Sequence, residues 1–377
     1  MTTMAPVSYH EALDRVIAEI VKPSAADIDA KATFPRAALD AMGRDGLLGL
    51  ISAPEVGGAG LGLGAAVDVV ERLARHCAST AMVVCMHYAA TAVIEAHGPR
   101  EAREAAASGQ SVATLAFSEA GSRSHFWAPV STATREGDTV RLDGHKSWVT
   151  SAAEADLYVW SSRPTAGEGA STLWLVPSDT ARLTVPAAFD GLGLRGNCSS
   201  PVVADGAVVP ASAMLGADGG GFDVMMGVVL PYFQLMNAAF SVGTMEGATT
   251  KAAAHVSSAR LQHLEQSLAD LPTIRAYVAR MRVKTDMARA LLLDAVEAAS
   301  TGREDAMLRV LESKAAAGET ATEVTDLAMR VCGGAAFSKS VGVERHFRDA
   351  RAASVMAPTT DVLYDFIGRA TCGMPLF

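Results

Sequence analysis

In Thr139-Val-Arg-Leu-Asp-Gly-His-Lys-Ser-Trp-Val-Thr-Ser151, β-branched and aromatic residues fall on either side of an Asp143-Gly144 pair. Runs of that composition, punctuated by Asp-Gly, predict short strands separated by a turn. The pattern continues outward. Leu157-Tyr-Val-Trp, Thr172-Leu-Trp-Leu-Val and Pro201-Val-Val follow, spaced by Glu168-Gly169 and Asp205-Gly206. Residues 111–215 are thereby predicted to form a small antiparallel β domain.

Both flanks read differently. Residues 9–108 carry Ala, Leu, Val and Ile at three-and-four spacing, with breaks expected at Pro23, at Pro35 and across 54–64. Residues 65–96 are apolar nearly all round, as in a helix buried between neighbours. Beyond residue 216 long helices are predicted at 222–258, 271–300 and 303–331, with shorter ones at 345–353 and 359–370. Ile274, Val278, Met281, Ala288 and Leu292 keep the spacing of one packed face. The expected division is 1–110 helical, 111–215 β and 216–377 a helical bundle, an α+β multidomain chain.

Composition excludes several classes of function. The net charge is −9 among 377 residues, which disfavours nucleic acid, since a polyanion surface needs clustered Lys and Arg. The most apolar window, 224–242, contains Pro231, Gln234 and Asn237, each costly in lipid. A buried helix is expected there, punctuated by Asp223 and Gly243, and no membrane association. Cys77, Cys85, Cys198, Cys332 and Cys372 form no C-x-x-C pair and predict buried free thiols rather than a metal site or a disulfide framework. The first residues leave no room for an apolar signal stretch, so a cytoplasmic location is expected. The glycines of 57–64 follow no predicted strand and so do not make a dinucleotide-binding loop. No Gly-x-Ser-x-Gly elbow is present.

Five segments carry a family resemblance. Leu115-Ala-Phe-Ser-Glu-Ala-Gly-Ser-Arg-Ser-His125 resembles the Thr-Glu-Pro-Gly-Ala-Gly-Ser-Asp signature of acyl-CoA dehydrogenases, with Ser118, Glu119, Gly121 and Ser124 in place. Ala120, Arg123 and His125 depart from it. Gly144-His-Lys-Ser-Trp-Val-Thr150 is similar to the family's Gly-x-Lys-x-Trp-Ile-Thr. Gly191-Leu-Gly-Leu-Arg-Gly-Asn-Cys-Ser199 resembles its late β-domain stretch. Cys332-Gly-Gly334 and Val343-Glu-Arg-His-Phe-Arg-Asp-Ala350 resemble its Gly-Gly turn and Arg-Asp helix.

The resemblance implies an N-terminal helical domain, a β domain and a C-terminal four-helix bundle, with FAD held at a subunit interface of a homodimer or homotetramer. It implies cofactor contacts from Ser118, Trp148, Thr150, Gly333, Gly334, Thr359 and Asp361, with Trp148 covering a flavin face and the Thr150 hydroxyl bonding it. Arg260 and Arg330 would clasp the dinucleotide of a neighbouring subunit. Ser124, Phe233, Gln234 and Ala357 would meet the substrate, an acyl thioester of CoA or a carrier protein. An electron acceptor or reductase would complete the partners. His87, Arg123 and His125 are further candidates for the mouth of the pocket.

The chemistry departs from the family at one place. Dehydrogenation needs a base for the α-proton, and the family's Tyr-Glu-Gly-Thr segment reads Met356-Ala-Pro-Thr359 here, putting Ala357 at the base position. The other position used in the family reads Phe233-Gln234. Three readings follow: dehydrogenation with another base (Asp223, Asp361 or Tyr232), oxygenation on the same fold, or a non-redox flavin reaction such as elimination or desulfination.

Overall fold

A computed structural model describes residues 8–123 and 125–375. Six helices come first: α1 (Tyr9–Val16), α2 (Lys22–Lys31), α3 (Arg36–Arg44), α4 (Gly62–Ala74), α5 (Ala78–His97) and α6 (Arg100–Ser108). Ser8 caps α1, its hydroxyl accepting from Glu11 N while the Glu11 carboxylate accepts from Ser8 N. Pro23 does not break the chain as expected. A π-helical turn at Ile17–Val21 carries α1 into α2, absorbing the hydrogen bond that proline cannot donate. The continuous apolar run 65–96 is instead two helices. Cys77 adopts an extended conformation, φ −142°, and starts α5 afresh.

The middle segment holds eight strands: β1 (Ala113–Ala116), β2 (Thr132–Glu136), β3 (Thr139–Val149), β4 (Leu157–Ser162), β5 (Thr172–Pro177), β6 (Leu183–Thr184), β7 (Ser200–Pro210) and β8 (Met214–Leu215). They form two four-stranded sheets, β1-β4-β5-β8 and β2-β3-β7-β6. The expectation of a purely antiparallel domain is corrected at one pair, because β1 and β4 run parallel. The first sheet is buried on both faces. Tyr158, Trp160, Trp174 and Val176 pack towards the second sheet, while Val159, Leu173 and Leu175 pack towards the helices. That burial explains why β4 and β5 read as unbroken apolar runs.

Asp143-Gly144 and Asp205-Gly206 are not turns. They lie on paired strands, at a register shift between Leu142 and Asp143 in β3 and the facing residues of β7. Gly206, at φ +73°, is the extra residue of this bulge. Gly144 admits a close approach, since a Cβ there would lie 1.9 Å from Ser131 Oγ.

The C-terminal segment begins with α7 (Gly221–Val224), a second π turn at Met225–Val229, and α8 (Leu230–Ser258), with Pro231 in its first turn. Gly243 does not end this helix but lies inside it. A short hairpin, β9 (Arg260–Leu261) and β10 (Gln266–Ser267), leads to α9 (Pro272–Thr301), α10 (Ala306–Cys332), α11 (Val343–Val355) and α12 (Thr360–Thr371). Helices α8 to α11 form the bundle, and α12 packs on α10. Ala78–His97 and Gly221–Ser258 are long and apolar enough to cross a membrane, but most of each apolar window is buried in the fold. Cys77, Cys85 and Cys332 are buried, whereas Cys198 is half-buried and Cys372 exposed.

The three parts are tied by charge. Arg348 of α11 pairs with Asp29 of α2 at 2.6 Å, and Asp349 accepts from Leu194 N at 2.7 Å. Arg289 of α9 reaches Glu71 of α4 at 3.1 Å and Glu246 of α8 at 2.7 Å.

Candidate functional site

The site is assembled from three groups of side chains. The first lies where β1 leaves the first sheet and runs beside β3. Ser118 O accepts from Ser147 N at 2.8 Å. Glu119, 5% exposed, accepts from Val130 N and Ser131 Oγ and pairs with Lys146, which has no exposed surface. Lys146 also donates to Ser161 O at 2.7 Å and Ser161 Oγ at 2.9 Å. Burial pushes the Lys146 amine down to about 8 against the pull of Glu119. Burial alone would raise Glu119, but Lys146 and the hydrogen bonds from Ser131 and Val130 hold it below its ordinary value. This buried pair fastens the loop after Ser118 to β3.

Trp148 stands next on β3, at φ +56° and 73% exposed. A large L-residue in the left-handed region is strained, and such outliers cluster at ligand-binding places. The second register shift in β3, between Lys146 and Val149, turns the indole outward here. Thr150 behaves differently from the expectation. It is buried, and its hydroxyl sits 3.1 Å from Ser199 Oγ, while its carbonyl accepts from Thr114 Oγ1 at 2.7 Å. Ending the strand at Val149 turns this hydroxyl inward. A hydroxyl has one donor and two acceptor lone pairs, so any contact to a cofactor would be shared with Ser199. Ser118, Trp148 and Thr150 are thus brought together, whereas Ser124 lies outside the described residues.

The second group joins α8 to the turn between α11 and α12. Phe233 and Ala357 are half-buried and pack against the main hydrophobic core, as do Met226, Tyr232 and Met356. Gln234 is fully buried. Asn237, one turn further along α8, places Nδ2 3.4 Å from Met356 Sδ. From α10, Lys314 donates to Met356 O at 2.9 Å and Pro358 O at 2.6 Å, the carbonyls flanking Ala357. Burial pushes the Lys314 amine down to about 7. Thr359 occupies the N-cap position of α12 and Asp361 its first turn, where a carboxylate complements the helix dipole. Asp223 and Asp361 are exposed, and burial raises the Tyr232 phenol above its ordinary value, so Tyr232 stays protonated at neutral pH.

Aromatic contacts connect the first two groups. Phe117 stacks on Phe126 at 6.3 Å, Phe126 meets Trp127 edge-on at 5.2 Å, and Trp127 lies 6.0 Å from Phe366 of α12. The third group is at the ends of the bundle helices. Arg260 is exposed, and among the described residues its side chain donates only to Glu265 O, at 3.4 Å. Arg330 lies over the Tyr277 ring at 4.8 Å. Gly333, at φ +55°, and Gly334 have no atom within 4 Å of a built Cβ. Neither arginine hydrogen-bonds to the first group among the described residues.

His87 is corrected as a pocket residue. It is fully buried, accepts at Nδ1 from Ala113 N at 3.2 Å, and lies with Nε2 3.3 Å from Leu48 O. Its work is to join α5 to β1. Arg123 and His125 are exposed, and His125 packs edge-on to Trp127 at 5.1 Å. The residues that sequence reasoning missed are Asn237, Lys314 and Ser199. Lys314 carried a signal, because it falls three residues after Leu311 on the apolar stripe of α10.

The exposed Trp148 indole, on a β domain packed against a helical bundle, is a surface on which a flat aromatic cofactor such as a flavin can stack. The residues fit FAD: Trp148 offers a bare aromatic face, Gly333 and Gly334 an open backbone, and Arg260 unspent donors for a pyrophosphate. The N-terminal, middle and C-terminal domains of acyl-CoA dehydrogenase match residues 8–109, 114–207 and 219–372. The chain belongs to the acyl-CoA dehydrogenase family and is an FAD-dependent oxidoreductase.

Among its relatives, cyclohex-1-ene-1-carbonyl-CoA dehydrogenase of Geobacter metallireducens is 29% identical over 358 residues, 93% of both chains. The human mitochondrial short-chain specific acyl-CoA dehydrogenase is 29% identical over 348 residues, 90% of this chain and 83% of its own. The fold matches that of butyryl-CoA dehydrogenase from Megasphaera elsdenii with a TM-score of 0.90 at 22% identity, covering 99% of this chain and 100% of that one. It also matches the prolyl acyl carrier protein oxidase AnaB with a TM-score of 0.86 at 20% identity, covering 97% and 100%.

Proposed function

We propose that the protein oxidises an acyl thioester, carried by CoA or a carrier protein, at its α and β carbons. The outward Trp148 indole, held at a strained backbone position, is the observation that carries this reading. When bound, FAD supplies the hydride acceptor. The chain's own part is to bind and orient. Ser118 and Trp148 present the β-domain edge, Phe233, Gln234, Ser124 and Ala357 meet the acyl group, and Lys314 fixes the turn that carries Ala357. Thr359, Asp361, Gly333 and Gly334 lie towards the cofactor in this reading, with Arg260 and Arg330 reaching the dinucleotide of a second copy in a homodimer or homotetramer. The names of the relatives support the substrate class, since they include CoA thioesters and a carrier-protein thioester. In this reading the enzyme works in the cytoplasm and passes electrons to a separate acceptor or reductase.

A second reading, oxygenation by reduced flavin fed from a reductase, is favoured by one observation. Ala357 and Phe233 offer no proton acceptor, and Asp223 and Asp361 are exposed. Anaerobic mixing of the purified flavoprotein with saturated acyl-CoAs of graded length separates the two. Bleaching of the flavin by a thioester is the expected outcome. Bleaching only by NAD(P)H or a partner reductase would give the second reading instead.

A further inference from the structure

Helix α8 carries a pair of buried amides whose hydrogen-bonding capacity the fold does not use. Gln234 and Asn237 are both 0% exposed. They are three residues apart, so they share a helix face. Neither Oε1 nor Nε2 of Gln234 has a hydrogen-bond partner among the described residues, and neither does Asn237 Oδ1. Asn237 Nδ2 has only the Met356 thioether, 3.4 Å away, and a thioether is a weak acceptor. The next polar side chains of the same helix are served locally: Ser241 and Thr244 donate to Asn237 O at 3.0 Å and Phe240 O at 2.8 Å.

An amide atom buried without a partner pays its full desolvation penalty, and such groups in native proteins call for an explanation. Apolar side chains would pack here without that penalty, since the neighbours of the pair on α8, Leu235, Met236, Ala238 and Ala239, are buried core residues. Asn237 contacts Met356, the neighbour of Ala357, so the pair lies beside the place assigned to the substrate acyl group. The nearby cation does not complement a negative charge, because Lys314 Nζ is directed at Met356 O and Pro358 O.

We propose that Gln234 and Asn237 select an acyl thioester bearing a neutral donor-and-acceptor substituent, a hydroxyl or carboxamide, close to the thioester end of the chain. Two primary amides present donors and acceptors together, which matches such a group and leaves a plain alkyl chain facing unpaired polar atoms. Sites built this way discriminate strongly against analogues that lack the polar group. A carboxylate would enter without a countercharge and is disfavoured. The inference rests on the acyl-thioester reading above.

The test measures equilibrium binding of butyryl-CoA and 3-hydroxybutyryl-CoA to the FAD-loaded protein, followed by calorimetry, in wild type and in Gln234→Leu and Asn237→Leu. The wild type is expected to favour the hydroxyacyl thioester at least tenfold, and each leucine variant to lose or invert that ratio. A companion measurement guards against misfolding: with no thioester present, the leucine variants should melt no lower than wild type, since each removes unpaired buried atoms. Binding of both thioesters with equal affinity, or a ratio unchanged in the variants, overturns the inference and leaves the acyl-thioester reading standing. Failure of both to bind overturns the two together. A fall in melting temperature in both variants would show that the amides serve the fold and would also overturn it.

Discussion

Single residues set the chemistry of this site. Trp148 holds a left-handed backbone conformation that costs an ordinary L-residue roughly 1–2 kcal/mol, and the buried Lys146–Glu119 pair beneath it fixes the neighbouring strand. Ala357 sits between two carbonyls anchored by Lys314, so its backbone is held although its side chain is inert. Ala357→Glu is therefore expected to place a carboxylate on a supported turn and to speed flavin reduction by an acyl-CoA, as general bases contribute ~10²–10⁴-fold. Stopped-flow traces of wild type and variant, each with ligand bound, check this. Identical slow traces across chain lengths would show that position 357 does not face the α-carbon. Arg260 gives a second test. It is exposed with one long hydrogen bond, so Arg260→Ala should leave the melting temperature nearly unchanged. FAD affinity should fall roughly tenfold or more, because a hydrogen bond to a charged group is worth ~1.5–3 kcal/mol. Equal FAD retention on dilution would remove Arg260 from the cofactor site.

Elements show where local sequence patterns mislead. Gly243 looks like a helix terminator, yet α8 runs through it because the helix passes within touching distance of α4. A Cβ at 243 would lie 2.2 Å from Glu71 O and 2.7 Å from Ala74 Cβ. Alanine is the better helix former by ~1 kcal/mol, but overpacking costs ~1–3 kcal/mol, and contact with a backbone oxygen leaves little room to relax. Gly243→Ala is thus expected to lower stability, and a urea melt with a higher midpoint than wild type would contradict it. The same blindness affected the two Asp-Gly pairs, which are one bulge between β3 and β7 rather than two turns. Pro23 likewise sits after a π turn that keeps the helix going. For Gly243 and the Asp-Gly pairs the decisive contact is made by a residue far away in sequence, whereas at Pro23 it is the local π turn. What was legible was periodicity: the burial of β4 and β5, the long helices, and the α+β order. Of the candidate site, Ser118, Trp148 and the Ala357 turn could be read from motifs. The inward Thr150 hydroxyl and the Asn237–Met356 contact could not, since both depend on tertiary packing.

At the scale of the whole molecule, buried ionisable groups set how the fold responds to acid. His87 is fully buried, and burial pushes its pKa down to about 4, opposed only by its contact with Leu48 O. Its Nδ1 must stay unprotonated to accept from Ala113 N. His346 is also fully buried, with neither ring nitrogen partnered among the described residues. Burial comes first, then Lys251, Arg345 and His76, in holding it well below the ordinary histidine value. A histidine depressed in this way contributes its full stability above the unfolded value of about 6.5, and loses it as pH falls towards the folded pKa, because only the unfolded chain takes up the proton. Asp349 acts in the opposite sense. Burial raises its carboxyl to about 6 despite the Leu194 N–H and Arg345, so the folded state gains a proton there between about 6 and its ordinary value. The buried histidines, with His76 also lowered first by burial, outweigh Asp349, so unfolding takes up protons near pH 5 and stability falls as the pH is lowered. The urea midpoint should therefore drop between pH 6.5 and pH 4.5, and carboxylates held low in the fold, such as Asp29 and Glu119, add to the fall as their unfolded counterparts begin to protonate towards the lower end of this window. His87→Gln, whose amide can donate to Leu48 O and accept from Ala113 N, should flatten that slope with little change at pH 7.5. A midpoint independent of pH across this window would show that neither ring stays neutral as described, and a slope unaltered by His87→Gln would remove His87 from the account.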